Sequence, residues 1–437
     1  MAKKAVSAFI TSSKSFINAP STKEKYRVKM TDFTRNRKLP FEQLVLCMLK
    51  LLRKSLVLEL RSFFNKSESS TNKMTSSAFV QSRKKLKPDL FYDLNQVILK
   101  EYYTDNDENV KLYKGMRVLS IDGSTLGLPF SKDILKHYST YNNQNKTEDV
   151  DLGRVSVLYD VLNNMVLDGY LRPFSQGENT IAMEHIQYAQ KGDLIIMDRN
   201  YPSFNLAWHM QQQGIDFLFR CQTGFSNKVK EFYESGKRDE IIHIQAKRKK
   251  SFKNLPYDRT SYLKVRMLRI ELDSGEAEIL MTSLLDKKEF PHKIFKDLYF
   301  KRWGVETFYD HFKNIIGVEQ FSGTSHQFIQ QEFNCALYMS NMQSILTQDA
   351  EDQVEEKYKK RKYEYKVNRS LALGFIRERL IEIYTSEHDS ETVLEELKEL
   401  FIENVVPIRP GRKNKRDVDK YRRRTKPKQF KNRRGLL

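Results

Sequence analysis

The chain has 437 residues, of which 39% are hydrophobic and 30% charged, and its formal net charge is +20 at pH 7. This length exceeds what a single hydrophobic core usually serves, so we expect several folding units. The basic excess indicates a polyanionic partner, with nucleic acid ahead of an anionic membrane. The longest apolar stretch, residues 44–60, is interrupted by Lys50, Arg53 and Lys54, which excludes a membrane-spanning helix there.

Cysteine and histidine usage narrows the class of protein further. Cys47, Cys221 and Cys335 lie far apart, and their odd number argues against a disulfide framework. The eight histidines show no zinc-site spacing, and no phosphate-binding loop for ATP is present. We therefore expect a reduced, cytoplasmic protein.

The first part of the chain, residues 1–110, is predicted to be helical and is a candidate DNA-binding domain. It contains a short helix whose exposed side is expected to carry Arg83, Lys84 and Lys85, followed by a second helix from Pro88. Two short helices with a basic face suit a helix-turn-helix-like DNA reader. An ordinary helical bundle with a solvated basic face fits the pattern equally well.

From residue 111 to 221 the pattern changes to strands with intervening helices. The predicted strands are 116–122, 154–160, 165–171, 194–198 and 216–220, with helices at 180–190 and 202–213. Three strands in a meander followed by α/β crossovers are typical of an RNase-H-like fold. The predicted fold class is therefore α/β, with an RNase-H-like catalytic domain between helical N-terminal and C-terminal regions.

A β-rich insertion, residues 222–288, is predicted to interrupt this domain. It has two strand-like runs at 262–272 and 277–285 and a basic loop that we expect to bind DNA. The loop residues are Lys247, Arg248, Lys249 and Lys250.

The remaining chain is predicted to be helical until a basic tail. Residues 289–345 return to the catalytic domain and include a long helix from Pro291 to about Ile316, and residues 346–408 form a helical C-terminal region. Residues 409–437 contain fourteen Lys or Arg and only two Asp, so we expect a disordered tail that contacts phosphates.

Two acids follow predicted strands that should be neighbours in the sheet. Asp122 ends the first strand and Asp198 ends the fourth, so both carboxylates would project from the same sheet edge. Carboxylates placed together repel each other unless a cation lies between them. Mg²⁺ or Mn²⁺ bound through carboxylate oxygens would remove this cost.

The predicted long helix presents polar groups on one face. Tyr299, Arg302, Glu306 and Lys313 are spaced three, four and seven residues apart and share that face, as does Asp310. Glu306 or Asp310 would complete a metal site, while the cations would bind phosphate. An ordinary Arg302–Glu306 ion pair on a solvated helix is the alternative.

These motifs resemble the DDE transposases of bacterial insertion sequences, specifically the insertion sequence 4 family with its Y-x2-R-x3-E-x6-K signature. The stretch from Tyr299 to Lys313 matches every fixed position of that signature, and Asp122-Gly-Ser and Asp198-Arg-Asn-Tyr resemble the two upstream acid motifs. The resemblance covers about residues 70–345. A β-rich insertion before the third acid is likewise a feature of the family.

The resemblance implies the roles of these residues. Glu306, rather than Asp310, is the third catalytic acid beside Asp122 and Asp198, and the three would hold two Mg²⁺ or Mn²⁺ ions. Tyr299, Arg302 and Lys313 would grip phosphates at the transposon end. The implied partners are the terminal inverted repeats, target DNA and a second copy in a synaptic homodimer, with no membrane. The alternatives are an RNase-H-like nuclease without strand transfer, or an inactive transposase-derived DNA-binding protein.

One departure from the family concerns tryptophan. Some members stack a flipped base on a tryptophan from the insertion while a DNA hairpin forms, but residues 222–302 contain none. Hairpin formation therefore stays open, and Trp303, next to Arg302, is expected to pack in the core.

Overall fold

A computed structural model of the chain shows a mixed α/β architecture, with one large sheet and many helices. It describes residues 2–35, 39–51, 55–66, 74–104, 109–138, 152–246, 255–272, 275–385 and 390–409. Within these ranges no helix combines the length and the apolar character needed to cross a bilayer. The predicted basic loop at 247–250 and nearly all of the basic tail lie outside the described residues.

The large sheet has eight strands. They are β1 (Val118–Gly127), β2 (Leu152–Asp160), β3 (Met165–Pro173), β4 (Leu194–Met197), β5 (Asp216–Arg220), β6 (Asp239–Gln245), β7 (Tyr262–Glu271) and β8 (Ala277–Thr282). Their order across the sheet is β3-β2-β1-β4-β5-β8-β7-β6. β1, β2 and β3 pair antiparallel, whereas β1, β4 and β5 pair parallel. β8 then joins β5 antiparallel, and β7 and β6 extend the same edge.

The five strands predicted between residues 111 and 221 all form, in the predicted order. The first strand continues beyond Asp122, contrary to the expectation that it ends there, because residues 123–127 remain paired with β2. Gly123 and Ser124 are turn-forming residues, so local sequence suggested an end that antiparallel pairing overrides. The parallel pairing with β4 stops earlier, at Ser120 and Ile196. Asp122 therefore lies just past the parallel part of the sheet.

Residues 222–288, which the sequence predicts to be an insertion, contribute strands to the main sheet. Both of the strands predicted there form as β7 and β8, and β6 is an additional strand. All three continue the sheet beyond β5 because β8 pairs with β5 through residues 280–282. Residues 239–282 therefore extend the sheet that carries Asp122.

Helices precede, connect and follow the strands. The N-terminal helices are α1 (Ala2–Asn18), α2 (Pro20–Tyr26), α3 (Phe41–Leu49), α4 (Leu56–Lys66), α5 (Ser76–Arg83) and α6 (Asp89–Thr104). Those between strands are α7 (Lys132–His137), α8 (Glu178–His185), α9 (Phe204–Gln213) and α10 (Asn227–Glu234). After the sheet come α11 (Phe295–Phe300), α12 (Trp303–Asp310), α13 (His326–Tyr358), α14 (Arg369–Thr385) and α15 (Ser390–Glu403), with a small ribbon of β9 (Tyr365–Val367) and β10 (Val405–Pro407).

Helix α13 connects the N-terminal helices to the sheet. The buried Asn341 side chain accepts from the backbone N–H of Val166 in β3 at 2.7 Å. Its amide group donates to Asn95 of α6 at 2.8 Å and to the Val166 carbonyl at 2.8 Å. Since a buried amide must be satisfied, these bonds fix how α6, α13 and β3 meet.

Arg83 is buried, so the expectation that it lies on an exposed basic face is wrong. Its guanidinium pairs with Glu332 at 2.8 Å and donates to Gln331 and to Ser322, each at 2.7 Å. These partners come from α13 and the segment before it, which makes Arg83 a link between α5 and α13. Lys84 is exposed, as expected.

The long helix predicted from Pro291 is broken into pieces. A turn at residues 301–302 separates α11 from α12, and a π-helical segment, residues 311–315, follows α12. At the break, backbone N–H groups bond three residues back, as Arg302 does to Tyr299 at 3.0 Å. Gly304 packs here against Val161, and a Cβ on Gly304 would lie 3.2 Å from that side chain. The missing side chain therefore admits the connection after β2.

Candidate active site

A cavity of about 510 Å³ opens where β1 and β4 meet α11 and α12. Asp122, Asp198 and Glu306 all line it. Asp122 lies on β1, Asp198 directly follows β4, and Glu306 lies in the first turn of α12. The fold thus brings together three acids that are far apart in the sequence.

Asp122 is the acid whose ionisation is most strongly affected. Its carboxyl pKa is raised from 3.8 to about 7, chiefly by burial and to a smaller extent by the negative charges of Asp198 and Glu306. A hydrogen bond from the Gly123 backbone and the charge of Arg302 act in the opposite direction. A carboxyl whose pKa is raised by burial, with nearby carboxylates adding to the effect, is a group that a cation would stabilise in its ionised form.

Asp198 and Glu306 each have a local partner. Asp198 accepts from the backbone N–H of Asn200 at 2.9 Å and from its side-chain amide at 3.3 Å. Glu306 accepts from the Arg302 guanidinium at 2.8 Å, one helical turn away. The Arg302–Glu306 pair, which the sequence left as an alternative, therefore exists within the cavity.

The Arg302 guanidinium lies near two aromatic rings. It lies 5.0 Å from the centre of the Trp303 ring and 5.9 Å from that of Tyr299. The Arg302 side chain is nearly buried, whereas Trp303 is 44% exposed and lines the cavity. The expectation that Trp303 packs in the core is wrong, because the turn before α12 directs its ring towards the opening.

The donor set fits a hard divalent cation. Three carboxylates supply oxygen ligands of the kind that Mg²⁺ and Mn²⁺ prefer. Among the residues that the structure describes, no three His, Cys, Asp or Glu side chains are close enough to hold an ion as they stand. In this structure Asp198 and Glu306 are each hydrogen-bonded to a neighbouring donor, Asn200 and Arg302 respectively.

The segment after Glu306 is tied to β1. Tyr309 donates from its hydroxyl to the backbone carbonyl of Asp122 at 2.8 Å. Lys313 donates to the Ser124 hydroxyl at 2.6 Å and to the Thr125 carbonyl at 2.8 Å. Lys313 therefore contacts the strand that carries Asp122, beyond the cavity that Tyr299 and Arg302 line.

Residues 113–342 match the sequence profile of the family described as the transposase DDE domain, over more than half of the chain. The chain belongs to the DDE transposase family. It is therefore a DNA transposase, an enzyme that cleaves and transfers DNA, and membership implies the use of divalent metal ions. The chain is also similar to a cryo-electron microscopy structure of the piggyBac transposase synaptic complex with hairpin DNA. That similarity has a TM-score of 0.45 at 10% identity and covers 94% of this chain and 89% of the other. A search of curated proteins found none that matches this chain.

Other charged side chains of the transposase line the same cavity and were not anticipated. Arg220 ends β5 and pairs with Glu278 of β8 at 2.9 Å. Glu178, at the start of α8, pairs with Arg154 of β2. The strand-end argument that found the acids could have found Arg220, whereas no pattern in the sequence pointed to Glu178.

Tyr201 of the transposase also lines the cavity, although the sequence indicated it only as the last residue of the second acid motif. Its side chain is buried, and burial raises the pKa of its phenol well above the usual range, with the Asp122, Glu178 and Asp198 carboxylates adding to the effect. Asp310, the rival third acid, is exposed and accepts a hydrogen bond from Asn314 at 2.6 Å. Asp310 does not line the cavity that contains the other three acids.

Proposed function

We propose that this transposase is encoded by an insertion sequence, binds the ends of that element, and cuts and joins DNA with Asp122, Asp198 and Glu306 as its metal ligands. The observation that supports the proposal is the convergence of these three acids on one cavity. The raised pKa of Asp122 adds to it, because burying repelling carboxylates is costly unless a cation binds.

The proposal extends to the architecture. Three antiparallel strands followed by two parallel strands, with helices between them, support an RNase-H-like catalytic core. We assign residues 111–221 and 289–345 to that core, with the acids at its centre. The other proposed units are a DNA-binding domain at 1–110, the insertion at 222–288, a helical region at 346–408 and the basic tail at 409–437.

The residues around the cavity suit phosphoryl transfer. Asp122 and Asp198 would hold cations from the sheet, and Glu306 would exchange its bond to Arg302 for a place beside them. Two bound Mg²⁺ or Mn²⁺ ions would supply activation of the attacking hydroxyl and stabilisation of the leaving oxygen. The Arg302 guanidinium, which lies near two aromatic rings, would then be free to donate to a phosphate of the DNA.

We further propose that the enzyme belongs to the insertion sequence 4 family. The spacing of Tyr299, Arg302, Glu306 and Lys313 supports this assignment. We assign Tyr299, Arg302 and Lys313 to contacts with the transposon end, and a homodimer to the complex that pairs two ends. The basic loop is assigned to DNA as well, through Lys247, Arg248, Lys249 and Lys250.

Cleavage of a duplex that carries the sequence flanking the element tests the proposal. The wild-type full chain is compared with Asp122→Asn, Asp198→Asn and Glu306→Gln in Mg²⁺, and with Asp310→Asn as the matched control. We expect each of the first three to abolish detectable nicking while retaining DNA binding. Asp310→Asn should cleave like the wild type, because Asp310 does not line the cavity.

A second arm separates transposition from the alternatives. Pre-cut ends are supplied with target plasmid, and joined products are measured. Joining by the wild type supports a transposase of an insertion sequence, whereas nicking without joining would support a nuclease. A wild-type chain that binds the duplex but neither nicks nor joins it would support an inactive DNA-binding descendant.

A further inference from the structure

The hydroxyl of Tyr201 is a buried hydrogen-bond donor in the wall of the cavity. Tyr201 follows β4, three residues after Asp198, and only 1% of its surface is exposed. Among the residues that the structure describes, none makes a hydrogen bond to its hydroxyl oxygen. Leaving a buried hydroxyl unpaired destabilises a fold, so such a group calls for an explanation.

The hydroxyl lies beside the backbone that carries Asp122. A Cβ placed on Gly123 would be 3.3 Å from the Tyr201 hydroxyl oxygen and 3.3 Å from a carboxylate oxygen of Glu178. The absence of a side chain at Gly123 therefore allows the phenol to approach the strand one residue after Asp122. Any larger residue at this position would press on the hydroxyl.

The carboxylates near the phenol differ in their existing partners. Glu178 is paired with Arg154, and Asp198 accepts twice from Asn200. Within the described part of the chain, Asp122 has no side-chain donor and accepts only from the backbone of Gly123. Asp122 is thus the nearby acceptor with oxygen lone pairs still to be filled.

We propose that Tyr201 is a positioning residue, whose hydroxyl donates to the carboxylate of Asp122 when that carboxylate holds a divalent cation. The inference rests on the proposed role of Asp122 as a metal ligand. A carboxylate that gives one oxygen to a cation can accept a hydrogen bond at the other, and such outer donors orient the ligand. Tyr309 already holds the backbone of Asp122, so the two phenols would fix its main chain and its side chain separately.

Manganese affinity of the DNA-free full chain tests this role. Free Mn²⁺ is followed by electron paramagnetic resonance during titration of the wild type, Tyr201→Phe and Tyr159→Phe. Tyr159 is the matched control, because its buried hydroxyl donates to Asn164 at 3.2 Å, away from the cavity. We expect Tyr201→Phe to bind Mn²⁺ about 10-fold more weakly or worse, and Tyr159→Phe to bind like the wild type.

The metal-free melting temperature separates positioning from a purely structural role. Removing an unpaired buried hydroxyl should leave Tm unchanged or raise it, while the rise in Tm on adding Mn²⁺ becomes smaller in Tyr201→Phe. Gly123→Ala supplies an independent perturbation, since its methyl group would displace the hydroxyl. As a single variant, Gly123→Ala should weaken Mn²⁺ binding. Combined with Tyr201→Phe it should cause little further loss of Mn²⁺ affinity, because both changes disturb the same contact.

The outcomes that overturn the inference are distinct from those that overturn the proposed function. If Tyr201→Phe binds Mn²⁺ as tightly as the wild type, or has a lower metal-free Tm, the positioning role is refuted and the proposed function is unaffected. A wild-type chain that binds Mn²⁺ no better than Asp122→Asn would instead refute Asp122 as a ligand. Weaker DNA binding by Tyr201→Phe at unchanged Mn²⁺ affinity would place the hydroxyl on DNA and also refute the inference.

Discussion

Tyr309 donates its hydroxyl to the backbone carbonyl of Asp122 at 2.8 Å and so links the helix that carries Glu306 to the strand that carries the first acid. The Tyr309 side chain is buried in the hydrophobic core. The relative position of Asp122 and Glu306 therefore depends on a bond to the main chain, which no substitution of Asp122 itself would remove.

Tyr309→Phe is the first prediction. Loss of the hydroxyl should cost about 1 kcal/mol of unfolding free energy, and the helix should shift relative to β1. Because small misplacements of catalytic groups reduce rates strongly, we expect DNA cleavage to fall about 10- to 100-fold. Urea denaturation measures the loss of stability, and single-turnover assays measure the fall in cleavage. DNA affinity, measured by titration, should not change. Wild-type cleavage in Tyr309→Phe would show that this bond does not position the acids.

The second prediction concerns the shape of the guanidinium at Arg302. Arg302→Lys keeps the charge but loses the planar group that lies beside the Trp303 ring and reaches Glu306. We expect cleavage to fall at least about 10-fold, with a smaller effect on the binding of unrelated DNA. Lys301→Arg, one residue away, is the control and should behave like the wild type. Equal activity of Arg302→Lys would argue that only the charge matters.

The positions of the strands along the chain between residues 111 and 221 were predictable because they depend on local sequence patterns. Alternating and continuous apolar runs identify strands, and an acid placed after two such strands can be located before the fold is known. Asp122 and Asp198 could be singled out for this reason, even though β1 proved longer than expected. The spacing of Arg302 and Glu306 likewise predicted a contact, which the structure contains.

The remaining features depend on tertiary packing, which leaves little trace in local sequence. Glu178 enters the cavity because α8 packs on β2, and Arg83 is buried because α13 supplies partners almost 250 positions later. Trp303 faces the opening because the predicted long helix breaks before it, where Gly304 packs against Val161. None of these outcomes follows from periodicity, since each is decided by a distant segment.

The third prediction is a pH dependence of stability without metal. The folded-state pKa of Asp122 is about 7, above its ordinary value of 3.8, so the folded protein holds the proton more tightly than the unfolded chain. The stabilisation of the folded state by protonated Asp122 is fully present below the ordinary pKa and is lost as pH rises through about 7. Relative to Asp122→Asn, the wild type in chelator should therefore lose unfolding free energy with rising pH, as urea denaturation at about pH 5 and pH 8 would measure. Added Mg²⁺ should restore it, and a pH-independent difference would contradict the prediction.

The fourth prediction separates two roles of Lys313, which contacts Ser124 and Thr125 in the structure and is proposed to grip a phosphate. If it gains a phosphate contact, Lys313→Met should reduce the slope of log affinity against log salt by about 0.9. Titration of end-containing duplex at several salt concentrations measures this slope. Lys301→Met is the control and should leave it unchanged. A lower Tm with an unchanged slope would restrict Lys313 to holding the helix on β1.

The last prediction concerns the buried ion pair between Arg83 and Glu332, whose side chains are 2% and 12% exposed. Arg83→Met leaves the Glu332 carboxylate buried beside an apolar group, which should cost about 3–5 kcal/mol of unfolding free energy. The exposed neighbour Lys84 is the matched control, and Lys84→Met should change stability by less than about 0.5 kcal/mol. Urea denaturation measures both. Adding Glu332→Gln to Arg83→Met should recover part of the loss because the unpaired charge is removed, whereas equal stability of the two single variants would mean that Arg83 does not hold α5 on α13.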